Sequence, residues 1–383
     1  MTRAHSTTMR VMQLAAARPA DEQPLEAVEL PVPTPGPGEV LIAVHACGVC
    51  HTDLHTVEGE LPPHRRPVVP GHQVVGEVVA LGDRPGDRPP DYAAADGLPL
   101  RIGERVGVPW LWKTCGRCRF CRRDHENLCQ NALFTGYDVD GGYAEYTVAP
   151  ADFVYRLPDM DDLAVAPLLC TGIIGYRCLR LTGVVGDGGG GFLGRPGAAE
   201  PRPGWDSQGS GAGEPRRLGL YGFGAAAHIA LQIASRHGWQ VYVFTRGEEH
   251  RKLALELGAV WAGAAGEPPG GDPGTKLDAA IVFAPAGQLA LDALRACDRG
   301  GIVALGGIYS SPIPPIAYER IYWERVLRSV ANSTRKDALD LLREAVEAPL
   351  RTEVQAFHLE RANEALVALK QGEIRGAAVL HVR

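Results

Sequence analysis

The chain has 383 residues, of which 45% are hydrophobic and 22% charged, with a formal net charge of −6. This length allows a large core and two domains, and the composition is ordinary for a globular enzyme. The acidic balance argues against a nucleic-acid partner, and no apolar run reaches the ~18 residues of a membrane span. Residues 1–10 lack the apolar segment of a secretory signal, so we predict a cytoplasmic protein whose nine cysteines stay reduced.

The first part of the chain is dominated by strand patterns. A Pro/Asp/Ala-rich stretch at 82–99 interrupts them and is predicted to be a solvated loop. Short apolar and β-branched runs, separated by Gly and Pro turns, lie at 11–14, 39–44, 67–79, 105–108 and 141–148.

A crowded polar stretch, Cys50-His51-Thr52-Asp53-Leu54-His55, follows the second of these strands. Packing alone does not require a thiol, two imidazoles, a hydroxyl and a carboxylate within six residues. We therefore expect this stretch to be functional if the rest of the chain supplies partners for it.

Four cysteines form a C-x2-C-x2-C-x7-C array at Cys115, Cys118, Cys121 and Cys129. Zinc prefers four such ligands in a tetrahedron, and short spacers let one loop surround the ion. Four free thiols and an iron–sulfur cluster are the alternatives. Four thiolates leave no open coordination position, so the array predicts a structural zinc site.

The pattern changes from β to α/β after residue 217. Residues 163–181 have the apolar spacing of a helix, and the Gly/Pro-rich stretch 185–217 is predicted to be a flexible insertion. Beyond it strands and helices alternate, which predicts a parallel sheet. The predicted strands are 218–221, 240–244, 279–283 and 301–305, with helices at 228–237, 248–257 and 289–296; two more helices, 336–346 and 360–370, precede a last strand at 377–382.

A dinucleotide fingerprint lies between the first of these strands and its helix. Gly222 permits a tight turn, Gly224 lets the backbone approach a pyrophosphate, and Ala227 keeps helix and strand close. The second strand ends in Thr245-Arg246 rather than in the carboxylate that binds the ribose of NAD. A hydroxyl and a guanidinium suit a 2′-phosphate, so we predict NADP(H) over NAD(H).

Cys50, His72 and Cys170 form a second candidate metal site. Each residue alone is more often a buried core residue. Together they are the donor types of a catalytic zinc, which uses three protein ligands and keeps one position open.

The motifs in this order and spacing resemble the zinc-dependent medium-chain alcohol dehydrogenases, in their bacterial and yeast-like branch of propanol-preferring type. The resemblance implies an α/β protein with a GroES-like β-rich catalytic domain, 1–165 and 330–383, that holds both zinc sites. It also implies a doubly wound parallel-sheet Rossmann domain at 166–329. The motifs that carry it are residues 48–55, Pro70-Gly71-His72, the four-cysteine array, Leu169-Cys170-Thr171-Gly172 and Gly222-x-Gly224.

The resemblance also implies a role for each polar residue of the crowded stretch. Two zinc ions are implied per chain, one in the four-cysteine array and one catalytic. The implied roles are catalytic zinc ligation by Cys50, His72 and Cys170, proton transfer by Thr52 and His55, orientation of His72 by Asp53, and contact with the cofactor pyrophosphate by His51.

The expected reaction is reversible hydride transfer between NAD(P) and a small primary alcohol or its aldehyde. Trp110 matches a bulky substrate-pocket position of the family, although an ordinary core aromatic is the alternative. Gln73 and Ala377 depart from the family pattern, which usually has Glu and Arg there. We expect a homo-dimer or homo-tetramer. A polyol or aromatic-alcohol dehydrogenase of the same fold, or a non-catalytic cofactor-binding paralogue, are the alternatives.

Overall fold

The computed structural model describes residues 7–62, 64–83, 92–186, 215–348 and 350–383. The described strands are β1 (Thr8–Leu14), β2 (Leu25–Pro31), β3 (Glu39–Val49), β4 (Val74–Leu81), β5 (Arg105–Val108), β6 (Leu111–Lys113), β7 (Leu133–Phe134), β8 (Tyr146–Pro150), β9 (Tyr155–Arg156), β10 (Arg217–Tyr221), β11 (Gln240–Phe244), β12 (Trp261–Gly263), β13 (Leu277–Val282), β14 (Cys297–Leu305), β15 (Val326–Ser329), β16 (Val354–His358) and β17 (Ala377–His381). The α-helices are α1 (His51–Glu58), α2 (Asp162–Val165), α3 (Thr171–Leu181), α4 (Ala225–Arg236), α5 (Glu248–Glu256), α6 (Gln288–Ala296), α7 (Arg335–Glu347) and α8 (Ala362–Gln371).

The chain divides into two compact units. The first comprises the described residues up to Thr171 together with Thr334–Arg383, and the second is Gly172–Ser333. The sequence places these boundaries at 165 and 330, a few residues earlier. Much of the predicted insertion at 185–217 lies outside the described residues.

The first unit is built on a seven-stranded sheet of order β16-β17-β3-β4-β5-β9, with β8 also paired to β3. β3 is its central strand, because it pairs with β17, β4 and β8. Its side chains from Val40 to Val44 are buried, as expected of a strand covered on both faces. The crowded polar stretch, residues 50–55, follows directly after the end of this strand.

The predicted loop at 82–99 is partly packed, contrary to expectation. Tyr92 and Ala94 are buried, and the Tyr92 hydroxyl donates to the Gly82 carbonyl over 2.9 Å. The same hydroxyl accepts a hydrogen bond of 2.7 Å from the Gly38 amide. Its described end, 92–99, is also held by the Ala95 amide, which donates to the Val154 carbonyl over 2.9 Å. The lack of an apolar period could not reveal these contacts.

The second unit is a six-stranded parallel sheet of order β12-β11-β10-β13-β14-β15. In order of appearance along the chain this is 3-2-1-4-5-6, the doubly wound dinucleotide-binding arrangement. Stacked rings of Tyr221 and Phe244, with centroids 4.2 Å apart, belong to its core. The predicted fold class, a GroES-like β-rich domain with a Rossmann sheet, is confirmed.

The helix predicted at 163–181 is wrong as one element. α2 is followed by a 3-10 turn, Ala166–Leu169, and α3 begins after a break at Cys170. Pro167 lies in the first turn of the 3-10 segment and cannot donate a backbone hydrogen bond, which favours the break. Among the described residues no single helix is long and apolar enough to span a bilayer, although Asp162–Leu169 and Thr171–Leu181, bent by 44°, satisfy that test as a pair.

Candidate active site and metal centres

The crowded stretch forms the start of helix α1, with Cys50 as its N-cap. The Cys50 amide donates to Asp53 Oδ2 over 2.9 Å, and the Thr52 amide donates to Cys50 Sγ over 3.4 Å. A hydrogen bond with Cys170 and the nearby His72 lower the pKa of Cys50, outweighing its burial. The helix N-terminus and these neighbours therefore favour the thiolate form of Cys50, which is the form that binds metals.

His72 is fully buried between a carboxylate and this sulfur. Its Nδ1 donates to Asp53 Oδ1 over 3.1 Å, and its Nε2 lies 3.3 Å from Cys50 Sγ. Burial alone would lower the pKa of His72, but the charges of Asp53 and Cys50 raise it to about 10. The pocket thus stabilises positive charge, and Asp53 fixes the ring so that Nε2 faces the sulfurs.

Cys170 completes this cluster, because the helix break turns its side chain toward the other two. The ligand atoms of Cys50, His72 and Cys170 all lie within 4.8 Å of one another. In a tetrahedral zinc site, ligand atoms about 2.0–2.3 Å from the metal are about 3.3–3.8 Å apart. The donor set, its negative field and its spacing fit a zinc ion with one position left for another ligand.

The four sulfurs of Cys115, Cys118, Cys121 and Cys129 also lie within 4.8 Å of one another. Cys118 and Cys121 are 3.5 Å apart, and Cys115 and Cys121 are 4.0 Å apart. Backbone amides lower the pKa of Cys115 to about 6, whereas burial and the Cys118 sulfur raise that of Cys121 to about 11. A cation is needed to hold all four as thiolates, and the spacing fits a closed zinc site.

An ion pair joins the four-cysteine loop to helix α7. Glu126, between Cys121 and Cys129, accepts hydrogen bonds from the Arg335 amide (2.8 Å), Nε (3.1 Å) and Nη2 (2.9 Å). The carboxylate is largely buried, and it meets the guanidinium through both oxygens, the strong form of such a pair. The loop is therefore tied to the helix on which the chain returns to the first unit.

The other polar residues of α1 lie on its successive turns. His55 is buried and its Nδ1 is 2.5 Å from Glu60 Oε2. The rings of His51 and His55 are 6.2 Å apart, as expected for helix neighbours, and Thr52 is half-buried beside Cys50. Glu60 gives the proposed proton path an exposed end that the sequence did not indicate.

Trp110 packs against the candidate metal cluster of Cys50, His72 and Cys170. Its indole meets the ring of His72 edge-on at 4.9 Å and stacks on Phe134 at 5.0 Å. Tyr137 supports the stack at 5.6 Å and donates its hydroxyl to the Pro62 carbonyl over 2.7 Å. Stacked aromatic rings thus border His72, one of the three candidate metal ligands.

Gln73 is buried against the end of β3. Its side chain packs on Gly48, where an added Cβ would lie 2.7 Å from Gln73 Cδ. The Gly48 amide also donates to the Gln73 carbonyl over 3.0 Å. The Gln73 side chain therefore packs against the end of β3, where only a glycine at position 48 leaves room for it.

In the second unit, the fingerprint glycines lie at the reversal of strand order between β10 and β13. Gly222 has φ +89°, and a Cβ there would come within 2.8 Å of Ala284, just beyond β13. Gly224 caps α4 and has nothing within 4 Å of where a Cβ would be. Ala227 is fully buried against the sheet. The helix N-terminus is thus open to a pyrophosphate, and the cofactor fits this position.

The tip of β11 carries two cations. Thr245 is buried and its amide donates to the Gly263 carbonyl over 2.8 Å, whereas Arg246 is exposed. Arg251, on α5, donates its Nε to the Thr245 carbonyl over 3.0 Å. Lys252, on the same helix, is paired with Glu249 at 2.9 Å. Arg246 and Arg251 thus supply positive charge at this turn.

Comparison with known proteins agrees with this architecture. The alcohol dehydrogenase GroES-like domain profile matches residues 36–159. The chain is 46% identical over 380 residues to the probable alcohol dehydrogenase AdhA of Mycobacterium tuberculosis, covering 98% of each protein. The chain belongs to the zinc-dependent medium-chain alcohol dehydrogenase family. Members depend on zinc and NAD(P), and this chain is an oxidoreductase of that family.

Two further relatives of this dehydrogenase extend over almost the whole chain. An alcohol dehydrogenase of Geobacillus stearothermophilus is 34% identical over 366 residues, covering 94% of this chain and 96% of that protein. The structure of the cinnamyl alcohol dehydrogenase SbCAD4 of Sorghum bicolor superimposes with a TM-score of 0.78 at 25% identity, covering 98% and 97%.

Several residues around the sites of this dehydrogenase were not predicted from the sequence. They are Glu60 beside His55, the Phe134 and Tyr137 rings behind Trp110, Glu126 and Arg335 at the four-cysteine loop, and Arg251 at the cofactor turn. None of these residues belongs to a sequence motif, and all are of common types. Only their contacts in the folded protein indicate that they support a site.

Proposed function

We propose that this enzyme oxidises small primary alcohols to aldehydes, and reduces the aldehydes, with a zinc ion at Cys50, His72 and Cys170. The observation that carries the proposal is the cluster of these three ligand atoms within 4.8 Å of one another. When bound there, zinc would supply Lewis-acid polarisation of the alcohol or carbonyl oxygen. A second zinc ion, at the four-cysteine loop, is proposed to be structural.

The side chains around this cluster would orient and move a proton. Asp53 holds the His72 ring, and Thr52 would hold the hydroxyl proton of the alcohol. His55, with Nδ1 2.5 Å from the exposed Glu60 carboxylate, would pass that proton toward solvent. The roles of His51, Gly222, Gly224 and Ala227 toward the cofactor remain proposals.

The size of the substrate is proposed to be limited by Trp110. The indole is supported by Phe134 and Tyr137, so it cannot move aside at low cost. An alcohol bound near His72 would contact the indole of Trp110. We therefore propose small, unbranched substrates rather than polyols or aromatic alcohols.

Replacement of Trp110 by alanine tests the substrate class. The variant is expected to raise kcat/KM for a long or aromatic aldehyde relative to acetaldehyde by about 10-fold or more, because a large group can enter the vacated space. Initial rates with aldehydes of increasing size, with and without a chelator, measure this ratio.

Trp112→Phe is the matched control, since the Trp112 indole donates to the Val148 carbonyl over 3.1 Å within the core. An unchanged ratio in Trp110→Ala would make Trp110 an ordinary packing residue. Wild-type preference for aromatic alcohols would support the alternative substrate class, and turnover that survives chelation would exclude the zinc site.

We also propose NADP(H) as the preferred cofactor, from the charges at the tip of β11. Arg246 is expected to contact the 2′-phosphate, with Arg251 as a second cation held by Thr245. A hydrogen bond to a charged group contributes about 1.5–3 kcal/mol, or about 10- to 100-fold. Arg246→Ala should therefore lower kcat/KM for NADPH by about that factor while leaving NADH nearly unchanged.

Lys252→Ala is the control for general charge loss at this helix, because Lys252 is paired with Glu249. Its cofactor ratio is expected to equal that of the wild type. A wild-type enzyme that strongly prefers NADH would contradict the proposal.

We further propose a homo-oligomer, a dimer or a tetramer. Strand β15 forms one edge of the described six-stranded sheet, and large apolar side chains near it are exposed, among them Tyr318 (70%), Trp323 (45%) and Val326 (41%). Exposed edges and apolar patches of this kind are typical of interfaces. A cytoplasmic location is proposed from the nine free cysteines.

A further inference from the structure

Tyr143 is a fully buried tyrosine behind the catalytic cluster. Its backbone is held from two sides: its amide donates to the Pro70 carbonyl over 3.0 Å, and its carbonyl accepts from the Met12 amide over 2.8 Å. Its ring fills the space beside Gly71, where an added Cβ would lie 2.3 Å from Tyr143 Cδ1. The ring is therefore fixed directly next to the segment that carries His72.

The hydroxyl of this tyrosine is an exception to the usual pairing of buried polar groups. It makes no hydrogen bond of ordinary geometry within the described part of the chain. Asp53 lies beside the same glycine that the ring packs against, because its Oδ1 accepts from the Gly71 amide over 3.2 Å. Burial raises the pKa of Tyr143, and the nearby Asp53 charge raises it further. A buried unsatisfied hydroxyl is costly, and its persistence requires an explanation.

Asp53 has room for one more donor. Its Oδ1 accepts from the Gly71 amide over 3.2 Å and from His72 Nδ1 over 3.1 Å, and its Oδ2 accepts from the Cys50 amide over 2.9 Å. A carboxylate offers about four acceptor positions, so one remains on Oδ2. The Tyr143 hydroxyl is a donor of the kind that this position accepts.

We propose that Tyr143 is a positioning residue for the catalytic metal, whose hydroxyl donates to Asp53 when the ion is bound and so fixes the carboxylate that orients His72. This inference rests on the proposed zinc site at Cys50, His72 and Cys170. Partners of metal-ligating histidines set metal affinity, and their loss typically costs 10- to 100-fold. Tyr143 acts one step further from the ion, so an effect at the lower end of that range is expected.

Tyr143→Phe tests this by removing only the hydroxyl. Zinc release from the full-length protein to a chromophoric chelator should become about 10-fold faster in its catalytic phase. In protein loaded with Co²⁺, the absorption bands of the catalytic site should shift, while those of the four-cysteine site stay unchanged as an internal reference. A purely structural tyrosine predicts the opposite pattern: a higher Tm, since an unpaired hydroxyl is gone, with the metal unaffected.

Two comparisons complete the experiment. Tyr155→Phe, which changes another fully buried tyrosine of the same unit, should release zinc like the wild type. In an Asp53→Asn background, Tyr143→Phe should add little, because its partner is already altered. Equal release from Tyr143→Phe and the wild type, or a full effect without Asp53, would overturn the inference. Wild-type protein that takes up one metal per chain, at the four-cysteine site alone, would overturn the proposed function as well.

Discussion

Cys50→Ala is expected to lower kcat/KM for alcohol oxidation by about 10³-fold or more. Polarisation by a metal contributes several kcal/mol to a transition state, and each 1.36 kcal/mol is a factor of ten. Without Cys50 the cluster loses both a thiolate and the charge that helps raise the pKa of His72. Two protein ligands would remain, which is too few for a tight site. Metal content should fall from two ions per chain to one.

Cys47→Ala is the matched control for this variant. Cys47 lies three residues earlier on β3 and is equally buried, but burial and the charge of Asp53 raise its pKa, so it remains a neutral thiol. A neutral thiol is a poor metal ligand. The control should keep two metals and most of its activity. A Cys50→Ala protein with wild-type activity or metal content would refute the assignment of Cys50.

Cys118→Ala is expected to act on stability rather than on chemistry. Removing one sulfur opens the four-cysteine site, and a structural metal contributes directly to folding free energy. A loss of about 3 kcal/mol would lower Tm by about 4 °C in a protein of this size. The effect should extend beyond the loop, because Glu126 ties it to Arg335 at the start of α7.

Thermal unfolding and metal analysis measure this second prediction. At low temperature the remaining folded protein should keep kcat within about threefold of the wild type, since the catalytic ligands lie elsewhere in the chain. Arg117→Ala, an exposed change within the same loop, should leave Tm and metal content unaltered. A Cys118→Ala protein with two metals and an unchanged Tm would show that the four cysteines are free thiols.

The sequence was most informative where a period or a spacing has one physical meaning. Strand β11 was predicted with its observed bounds, Gln240 and Phe244, because its apolar run ends at Phe244. α6 was predicted to within one residue, because its apolar spacing has a helical period. Short elements such as β12, β15 and β16 were missed, since three to five residues carry too little pattern to distinguish a strand from a loop.

The two candidate metal sites also differ in how far the sequence could predict them. The four-cysteine site could be predicted from spacing alone, because the short spacers between its cysteines keep their sulfurs close together. These cysteines are Cys115, Cys118, Cys121 and Cys129. Cys50, His72 and Cys170 are far apart in sequence, and their donor types together suggested a site only as a hypothesis. The fold brings their ligand atoms within 4.8 Å.

The sequence by itself determined the fold class, the closed cysteine array and the glycine turn for a dinucleotide, because each depends on local spacing. Only the tertiary structure decided that the predicted helix breaks at Cys170, that Trp110 meets His72 edge-on, and that the Tyr143 ring packs beside Gly71. These features depend on which segments meet after folding. Contacts between distant segments follow from the packing of whole strands and helices, and no local pattern of residues encodes them.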